Sequence, residues 1–273
     1  MQSPPAVLTF AATDPTGGAG VQADLLTLAS MGCQPLSVVT AVTVQDTAGV
    51  EAFFPLDPEW VMDQARCLLE DMPVVGFKVG VLASTDIVSA VAEIVSDYPD
   101  IPLVLDPVFA SGRGDEFGGE RVVAAVRALL VPQSTVVTPN VGELRRLAGA
   151  EDDEAADERE CATRVLDHGC EYVLVTGTHA ATPLVINTLY NREGVVRADS
   201  WERLPGSYHG SGCTLASAIA ANLARGLDVP EAVREAQDYT WQALAHAFRP
   251  GMGQHLPDRL FWARDTDEPD AAR

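Results

Sequence analysis

Lysine is almost absent from this sequence: of its 18 basic residues, 17 are arginine and one, Lys78, is lysine. Aspartate and glutamate together number 39, which gives a formal net charge of −21. Because a surface of this charge repels other polyanions, we exclude nucleic acids and anionic membrane surfaces as partners. A phosphate group bound by this chain would have to be held by backbone N–H groups, by a metal ion or by arginine.

Long hydrophobic runs and paired cysteines are also missing. No apolar run approaches the ~20 residues that cross a bilayer, and the segment Met1–Pro5 has no basic stretch followed by an apolar one. We therefore expect a cytoplasmic protein with no signal peptide and no membrane partner. The cysteines are odd in number, at 5, and form no Cys-x-x-Cys pair, which argues against a zinc site or a disulfide framework.

What the chain does contain is a repeated alternation of short Val-rich segments with segments of helical periodicity. This pattern predicts an α/β fold with a mostly parallel central sheet and helices on both faces. Leu36–Val44 is interpreted as a single strand, and Asn191–Gly194 as a hairpin turn. No break in composition divides the 273 residues, so we expect one domain over 1–264 and a disordered acidic tail over 265–273.

In parallel sheets of this kind, ligands bind beyond the carboxyl ends of the strands. The loops that follow the predicted strands are therefore the candidate site. They are Thr13–Gly20, Gln45–Thr47, Asp106–Gly114, Pro139–Asn140 and Thr176–His179.

The glycine-rich segment His209–Thr214 precedes a predicted helix over Ser211–Arg225. Glycines at a helix start let the backbone approach a ligand closely, and the free N–H groups of the first turn favour an anion such as phosphate. The alternative is a glycine-rich turn without chemical consequence. Cys213 lies in that first turn, where the helix N-terminus is expected to lower the pKa of its thiol and make it a general base. In the competing view, only the backbone N–H of Cys213 contributes.

Familiar nucleotide-binding motifs are absent. The chain has no Gly-x-x-x-x-Gly-Lys-Ser/Thr loop, no Gly-x-Gly-x-x-Gly fingerprint and none of the protein-kinase signatures. A phosphate-handling protein outside those classes is indicated, and a dehydrogenase is disfavoured.

Carboxylates follow two of the predicted strands. Asp106 ends one strand, and Glu143 opens a helix after Asn140. Carboxylate oxygens are the ligands that Mg²⁺ prefers, so Asp106 and Glu143 are the candidate magnesium ligands, directly or through water. For each of them alone, a helix cap or a surface residue is the more common role, and it is their shared location at the carboxyl edge of one sheet that favours a metal site.

Several segments together resemble one family. They are Ala11–Asp24, Ser37–Thr47, Lys78–Gly80, Asp106–Val108, Thr138–Asn140 with Glu143, and His209–Thr214. This combination, spread over residues 6 to 250, is similar to the hydroxymethylpyrimidine/phosphomethylpyrimidine kinases of thiamine biosynthesis, within the ribokinase-like superfamily. The resemblance implies that ATP phosphorylates 4-amino-5-hydroxymethyl-2-methylpyrimidine, and then its monophosphate to the diphosphate. A homodimer is common among such relatives.

The resemblance also implies roles for individual residues. Asp24 and Gln45 would hydrogen-bond the aminopyrimidine, and the segment Gly210, Ser211, Gly212 and Cys213 would form the anion hole. The pocket would be lined by Ala12, Val81 and Val108, while ATP and magnesium would be faced by Asn140, Glu143, Thr176, Gly177 and His179.

This chain departs from the family pattern where lysines are usual. The loop after Asp106 carries Arg113 instead of lysine, and Thr176–His179 stands where Lys-Gly-Gly-His is more usual. We expect Arg113 to supply the positive charge at the transferring phosphoryl group, because arginine can donate two hydrogen bonds to phosphate oxygens.

Two other functions remain open. A pyridoxal-type kinase of the same superfamily is the nearer one, whereas Cys213 argues against a sugar kinase, in which aspartate stands at that position. The other is a non-catalytic ligand-binding protein on this fold, which a kinase assay would identify.

Overall fold

The computed structural model describes residues 3–110, 116–153, 155–177 and 182–264. Within these ranges, the helices are α1 (Gly20–Ser30), α2 (Pro58–Asp71), α3 (Thr85–Ser96), α4 (Gly119–Leu129), α5 (Val141–Ala148), α6 (Glu158–Asp167), α7 (Ser211–Ala224) and α8 (Val229–Ala245). The strands are β1 (Ala6–Ala11), β2 (Gln34–Val39), β3 (Ala41–Gln45), β4 (Val50–Pro55), β5 (Val74–Val79), β6 (Leu103–Leu105), β7 (Val136–Val137), β8 (Tyr172–Thr176), β9 (Leu184–Asn191) and β10 (Gly194–Glu202).

Eight of the strands form one sheet in the order β10-β9-β8-β7-β6-β5-β1-β2. The six strands from β8 to β2 pair in parallel, whereas β9 and β10 are antiparallel and form the predicted hairpin. The prediction of a mostly parallel α/β sheet is therefore confirmed. Because the six strands run in the same direction, their carboxyl ends meet at one edge of the sheet.

Buried side chains alternate between the two faces of the sheet. In β1, Leu8 and Phe10 belong to the core beneath α2, α3 and α4, while Val7 packs with Leu28 and Ile219 of α1 and α7 on the other face. This alternation follows from the period of two in a strand, and it explains why both faces are covered by helices. The tail 265–273 lies outside the described residues.

The single strand predicted over Leu36–Val44 is wrong. It is two strands, because the ladder with β1 ends at Thr40. The Thr40 N–H still donates to Ala11 O at 3.0 Å, but its carbonyl oxygen accepts from Leu56 N at 2.9 Å and its hydroxyl donates to Val81 O at 2.6 Å. After Thr40 the chain enters β3, which pairs only with β4 in a separate two-stranded sheet. This turn brings the end of β3, with Gln45, over the carboxyl edge of the main sheet. Among the described residues, no helix combines the length and apolarity that crossing a membrane requires.

Candidate active site

Two glycine-rich segments pack backbone against backbone at the carboxyl edge of the sheet. One is the loop after β1, Gly17–Gly20, and the other is the segment before α7. Gly210 has a φ of +81°, and a Cβ there would lie 1.8 Å from Gly18 O. A Cβ on Gly18 would lie 2.7 Å from His209 Cδ2. Neither glycine leaves room for a side chain, so this close approach explains why both positions are glycine.

Asp14 joins the same two segments. Its buried carboxylate accepts hydrogen bonds from Ala19 N at 2.6 Å, from Thr16, and from His209 Nε2 at 3.1 Å. Burial acts to raise the pKa of Asp14, but the hydrogen bonds from His209, Thr16 and Ala19 outweigh it and leave the pKa below its ordinary value. Asp14 is therefore an ionised anchor of the loop and not a ligand-binding group.

The N-terminus of α7 is open. Its N-cap, Gly210, has no side chain that could bond the N–H groups of the first turn, and that turn contains no acidic residue. Ser211 and Cys213 are partly exposed and Gly212 is exposed, so a ligand can reach their N–H groups. The first N–H groups of a helix have no intrahelical partner and lie at the positive end of its dipole. This geometry suits an anion.

Asp106 lies directly beside this helix end. A Cβ built on Gly212 would be 3.7 Å from Asp106 Oδ1, and the nearby thiol of Cys213 acts to lower the pKa of the carboxyl group. Asp106 is 4% exposed, and its Oδ2 has no hydrogen-bond partner among the described residues. Burial raises the pKa of Asp106 to about 6, a rise that nearby Lys78 opposes and Asp24 reinforces. A buried carboxylate oxygen without a partner is costly, and it indicates that a cation or a proton belongs there.

Glu143 lies close enough to Asp106 for the two carboxylates to repel each other. Burial and the repulsion of Asp106 raise the pKa of Glu143 to about 8, against the opposing effects of Asn140 and Arg146. Among the described residues, no cluster of three or more His, Cys, Asp or Glu side chains could hold a metal ion by itself. Mg²⁺ usually binds one or two carboxylates and completes its shell with water and phosphate oxygens. Two repelling carboxylates, one with an orphaned oxygen, fit that requirement.

Asn140 and Glu143 also close the N-terminus of α5. Glu143 N donates to Asn140 Oδ1 at 3.0 Å, and Asn140 N donates to Glu143 Oε2 at 2.9 Å, which is a capping box. Both residues thus have the capping role that was the alternative in the sequence. Only the amide Nδ2 of Asn140 and the second oxygen of Glu143 remain for the predicted contacts with ATP and magnesium.

The assignment of Asp24 to the pyrimidine stays a prediction, and the surroundings of Asp24 do not favour it. Asp24 is fully buried beneath the anion hole, and its carboxylate is already occupied. It accepts from Thr9 Oγ1 at 2.6 Å, Ser217 Oγ at 2.8 Å and Lys78 Nζ at 3.0 Å. Lys78, the only lysine of the chain, is fully buried in this contact. The pair is part of the support beneath the site.

The expected lowering of the pKa of Cys213 is contradicted. Burial raises the pKa of its thiol to about 12, and Asp106 and Asp24 add to the rise; Lys78 and the backbone of Gly20 oppose it only in part. The helix N-terminus does not outweigh burial and two carboxylates. At neutral pH the side chain is a thiol, which leaves the backbone N–H as the contribution of Cys213.

The residues predicted to form the pyrimidine pocket lie around the end of β1. Ala12 is buried next to β1, and Val81, half-buried, follows β5. Gln45 is partly exposed at the end of β3, where its Nε2 lies 3.4 Å from Thr13 O. Val108 is half-buried beyond β6, and its N–H donates to Asp106 O at 2.8 Å. Among the described residues, the side-chain amide of Gln45 thus makes only this long contact, and it is free to bind a ligand.

Of the residues predicted to face ATP, Thr176 ends β8 and Gly177 follows it. Thr176 N donates to Pro139 O at 3.0 Å, which places the end of β8 beside Asn140. The N–H of Gly177 is used by Asn187 Oδ1 at 3.0 Å, so it is not available to ATP. Arg113 and His179 lie outside the described residues.

Sequence reasoning missed Arg259, which contacts both glycine-rich segments from the end of the chain. Arg259 Nη2 donates to Gly18 O at 2.5 Å, and Nε donates to Thr214 Oγ1 at 3.0 Å. Nothing in the local pattern around Arg259 marks it, because its partners lie far away in the sequence. Lys78, by contrast, could be singled out in the sequence, because it is the only lysine of the chain.

The chain is similar to known proteins over most of its length. Residues 14–258 match the family model described as phosphomethylpyrimidine kinase. The chain is 41% identical over 253 residues to the hydroxymethylpyrimidine/phosphomethylpyrimidine kinase of Streptomyces coelicolor, covering 92% of this chain and 93% of that protein.

Two solved structures are similar to this fold. A phosphomethylpyrimidine kinase from Clostridium difficile has a TM-score of 0.76 at 30% identity, covering 88% of this chain and 99% of that one. A pyridoxal kinase from Staphylococcus aureus, in complex with AMP-PCP and pyridoxal, has a TM-score of 0.86 at 26% identity, covering 97% and 96%. The ribokinase-like fold is thereby confirmed.

Proposed function

The chain belongs to the phosphomethylpyrimidine kinase family, and on that premise we propose that it phosphorylates a hydroxymethylpyrimidine in thiamine biosynthesis. The substrate is 4-amino-5-hydroxymethyl-2-methylpyrimidine, ATP is the phosphoryl donor, and the monophosphate is phosphorylated again to the diphosphate. The observation that carries this proposal is the open N-terminus of α7 beside the orphaned carboxylate of Asp106. A phosphoryl group in transfer needs both neutralisation of charge and fixed donors.

The N–H groups of Ser211, Gly212 and Cys213 orient the phosphoryl group and stabilise the charge on its oxygens. Asp106 and Glu143 would hold Mg²⁺, which when bound neutralises phosphate charge. The thiol of Cys213, whose pKa is about 12, does not take the proton of the hydroxyl. A loose transition state allows this, because the hydroxyl needs little deprotonation before the transfer.

Gln45 recognises the pyrimidine in this proposal. Its amide can donate to a ring nitrogen and accept from the exocyclic amino group. Within the part of the chain that the structure describes, its side chain makes only the long 3.4 Å contact to Thr13 O. Gln45→Ala should raise the pyrimidine KM by about 10-fold or more, with little change in the ATP KM. Gln34→Ala, at an exposed glutamine of β2, is the control. A change in the ATP KM alone would contradict the assignment.

One experiment tests the function as a whole. Purified protein is incubated with ATP, Mg²⁺ and the hydroxymethylpyrimidine, and the products are identified by mass spectrometry. We expect the monophosphate and then the diphosphate. Monophosphate alone would limit the enzyme to the first step, while binding of the pyrimidine without any product would favour a non-catalytic ligand-binding protein.

Pyridoxal is the second candidate substrate, because the similarity to a pyridoxal kinase extends over 97% of this chain. It is therefore assayed in parallel. A kcat/KM for pyridoxal above that for the pyrimidine would replace the proposed substrate.

Arg113 and His179 complete the proposal at the phosphates. Arg113 supplies a positive charge in a chain with a single lysine, and His179 faces ATP. Arg113→Ala should lower kcat with little change in the pyrimidine KM, because the charge acts on the phosphoryl group. An unchanged kcat in both steps would contradict this role.

A homodimer in the cytoplasm is the expected assembly, with residues 1–264 as one catalytic domain. The sheet of β3 and β4 supports it: Val42 and Phe54 are paired across the strands and both exposed, next to the exposed Val44. A second copy covering this apolar face would remove it from water. Val44→Lys should shift the mass measured by light scattering towards the monomer, and a wild-type monomer would contradict the dimer.

A further inference from the structure

Arg259 is buried beneath the site and hydrogen-bonds both of its glycine-rich segments. The residue is 3% exposed and lies after α8. Its guanidinium donates to Gly17 O at 3.1 Å, to Gly18 O at 2.5 Å and to Thr214 Oγ1 at 3.0 Å. Gly17 and Gly18 belong to the loop after β1, whereas Thr214 is in the first turn of α7. One side chain thus bridges both walls of the anion hole.

The backbone of Arg259 is fixed as firmly as its side chain. Its carbonyl oxygen accepts from Ser30 Oγ at 2.6 Å and from Tyr239 OH at 2.7 Å. Ser30 ends α1 and Tyr239 lies in α8. Because both ends of the residue are bound, the guanidinium has a defined position relative to the N-terminus of α7.

The charge of Arg259 is not neutralised by an adjacent carboxylate. Among the described residues, no carboxylate oxygen lies within 4.0 Å of a guanidinium nitrogen of Arg259, the distance that defines an ion pair. The neighbouring acid, Asp258, is paired with Arg264 instead. The direct partners of Arg259 are carbonyl and hydroxyl oxygens. Burial lowers the pKa of its guanidinium, and the more distant Asp24 and Asp14 oppose this only in part. A buried charge without a counter-ion is unfavourable unless an anion binds nearby.

Lys78 provides the contrast within the same site. It is equally buried, but Asp24 contacts it at 3.0 Å and cancels most of its field. Of these two buried cations near α7, Lys78 makes a direct ion pair, whereas Arg259 makes none among the described residues and is acted on by Asp24 and Asp14 only from a greater distance.

We propose that Arg259 is a positioning residue for the transferring phosphoryl group. It fixes the loop after β1 against the first turn of α7, and its charge strengthens anion binding at that helix end. The kinetic part of this inference rests on the proposed kinase function, whereas the anion-binding part does not. The family-model match ends at residue 258, just before this residue.

The test compares Arg259→Gln, Arg259→Lys and Arg145→Gln. Arg145 is the matched control, because its guanidinium also binds two carbonyl oxygens of a neighbouring loop, those of Asp153 at 2.5 Å and Ala156 at 3.0 Å. Two quantities are measured for each protein. One is the rise in Tm caused by inorganic phosphate, relative to chloride at equal ionic strength, and the other is kcat and KM with ATP and the pyrimidine.

For Arg259→Gln we expect the phosphate-dependent rise in Tm to disappear and kcat to fall by about 10²-fold, with the pyrimidine KM changed little. Arg259→Lys keeps the charge but cannot reach all three acceptors, so it should lie between wild type and Arg259→Gln in both measurements. Arg145→Gln should keep the wild-type phosphate effect and kcat, even if its Tm is lower.

Several results would overturn the proposal. They are a wild-type protein without a phosphate effect, an Arg259→Gln protein that retains the effect, or equal losses in the Lys and Gln variants, which would show that the charge contributes nothing. If Arg259→Gln does not fold, Arg259→Lys decides: an intermediate phosphate effect supports the charge, and a complete loss contradicts it. A phosphate effect that depends on Arg259 in a protein that does not phosphorylate the pyrimidine would leave this inference intact and contradict the proposed function.

Discussion

Two helix N-termini lie at the same edge of the sheet, and they are built in opposite ways. The helix α7 begins after Gly210, which has no capping side chain, and its first turn has no acid. The helix α5 begins after Asn140, and its first turn is closed by the capping box of Asn140 and Glu143. The first end offers free N–H groups to an anion, whereas the second uses its own groups and presents a carboxylate instead.

The difference shows how one edge can serve two purposes in phosphoryl transfer. An open helix end binds the negatively charged group, and a closed one holds the carboxylate that would bind its counter-ion. Whether a helix N-terminus can bind an anion therefore depends on how its first N–H groups are capped. We therefore expect Gly210→Ala at the open N-terminus of α7 to lower activity, and substitutions at the closed N-terminus of α5 to alter mainly the stability and the requirement for Mg²⁺.

The largest effect is expected from Gly210→Ala, which would obstruct the open end. The new Cβ would lie 1.8 Å from Gly18 O at a φ of +81°, so the segment has to move away from the phosphoryl group. We expect kcat to fall by about 10³-fold, as measured by steady-state kinetics.

The control for Gly210→Ala is Gly226→Ala. Gly226 has a similar φ of +92°, but nothing lies within 4 Å of its Cβ position. Gly226→Ala should introduce only backbone strain, which lowers the unfolding free energy by about 1 kcal/mol, and it should leave kcat unchanged. Equal kinetic losses in the two variants would show that strain, and not the close approach, is responsible.

Glu143→Gln should separate the charge at the closed end from its cap. Glutamine can preserve the capping box but has no proton to lose. Because the pKa of Glu143 is raised from 4.5 to about 8 in the folded protein, its ionisation destabilises the metal-free fold as the pH rises through that interval. At pH 9 we expect the variant to be more stable than wild type by at least ~1 kcal/mol, and at pH 4 about equal.

Denaturant unfolding without Mg²⁺ at both pH values measures the effect of Glu143→Gln. Glu231→Gln is the control, since Glu231 has the same position in the first turn of α8 and is exposed. A difference that is the same at both pH values would contradict the raised pKa. The Glu143 variant should also need more Mg²⁺ for activity.

Asn140→Ala removes the cap of the closed end. The loss of the Asn140 Oδ1 hydrogen bond to Glu143 N should lower the unfolding free energy by about 1 kcal/mol. The phosphate-dependent rise in Tm should stay unchanged, because the anion binds at α7. Asn140→Ser retains a capping oxygen and should recover most of the stability. If the phosphate effect is lost with the cap, the anion site is not confined to the open end.

The smallest effect is expected from Cys213→Ser in the first turn of α7. With a thiol pKa of about 12, no thiolate is available as a base, and serine preserves the backbone N–H. We expect kcat within about 5-fold of wild type, as for Cys67→Ser at an exposed cysteine. A loss of about 10²-fold would restore the general-base role for Cys213.

The sequence by itself determined the scaffold and the position of the site. Helix α5 begins directly after Asn140, where the sequence predicts a helix start, because apolar periodicity, caps and glycines act over a few neighbouring residues. The same local signals placed the candidate loops after the strands, and a parallel sheet then gathers them at one edge. The motifs identified the family for the same reason, since each is a short contiguous segment.

Only the tertiary structure decided what surrounds each group. Thr40 breaks the predicted strand through a bond to Val81, Asp24 is occupied by Ser217 from 193 residues away, and Arg259 reaches Gly17 across 242 residues. The pKa of Cys213 followed burial and two carboxylates instead of its own helix end. Burial and charge depend on neighbours in space, and those are set when distant segments pack, so no local pattern in the sequence encodes them.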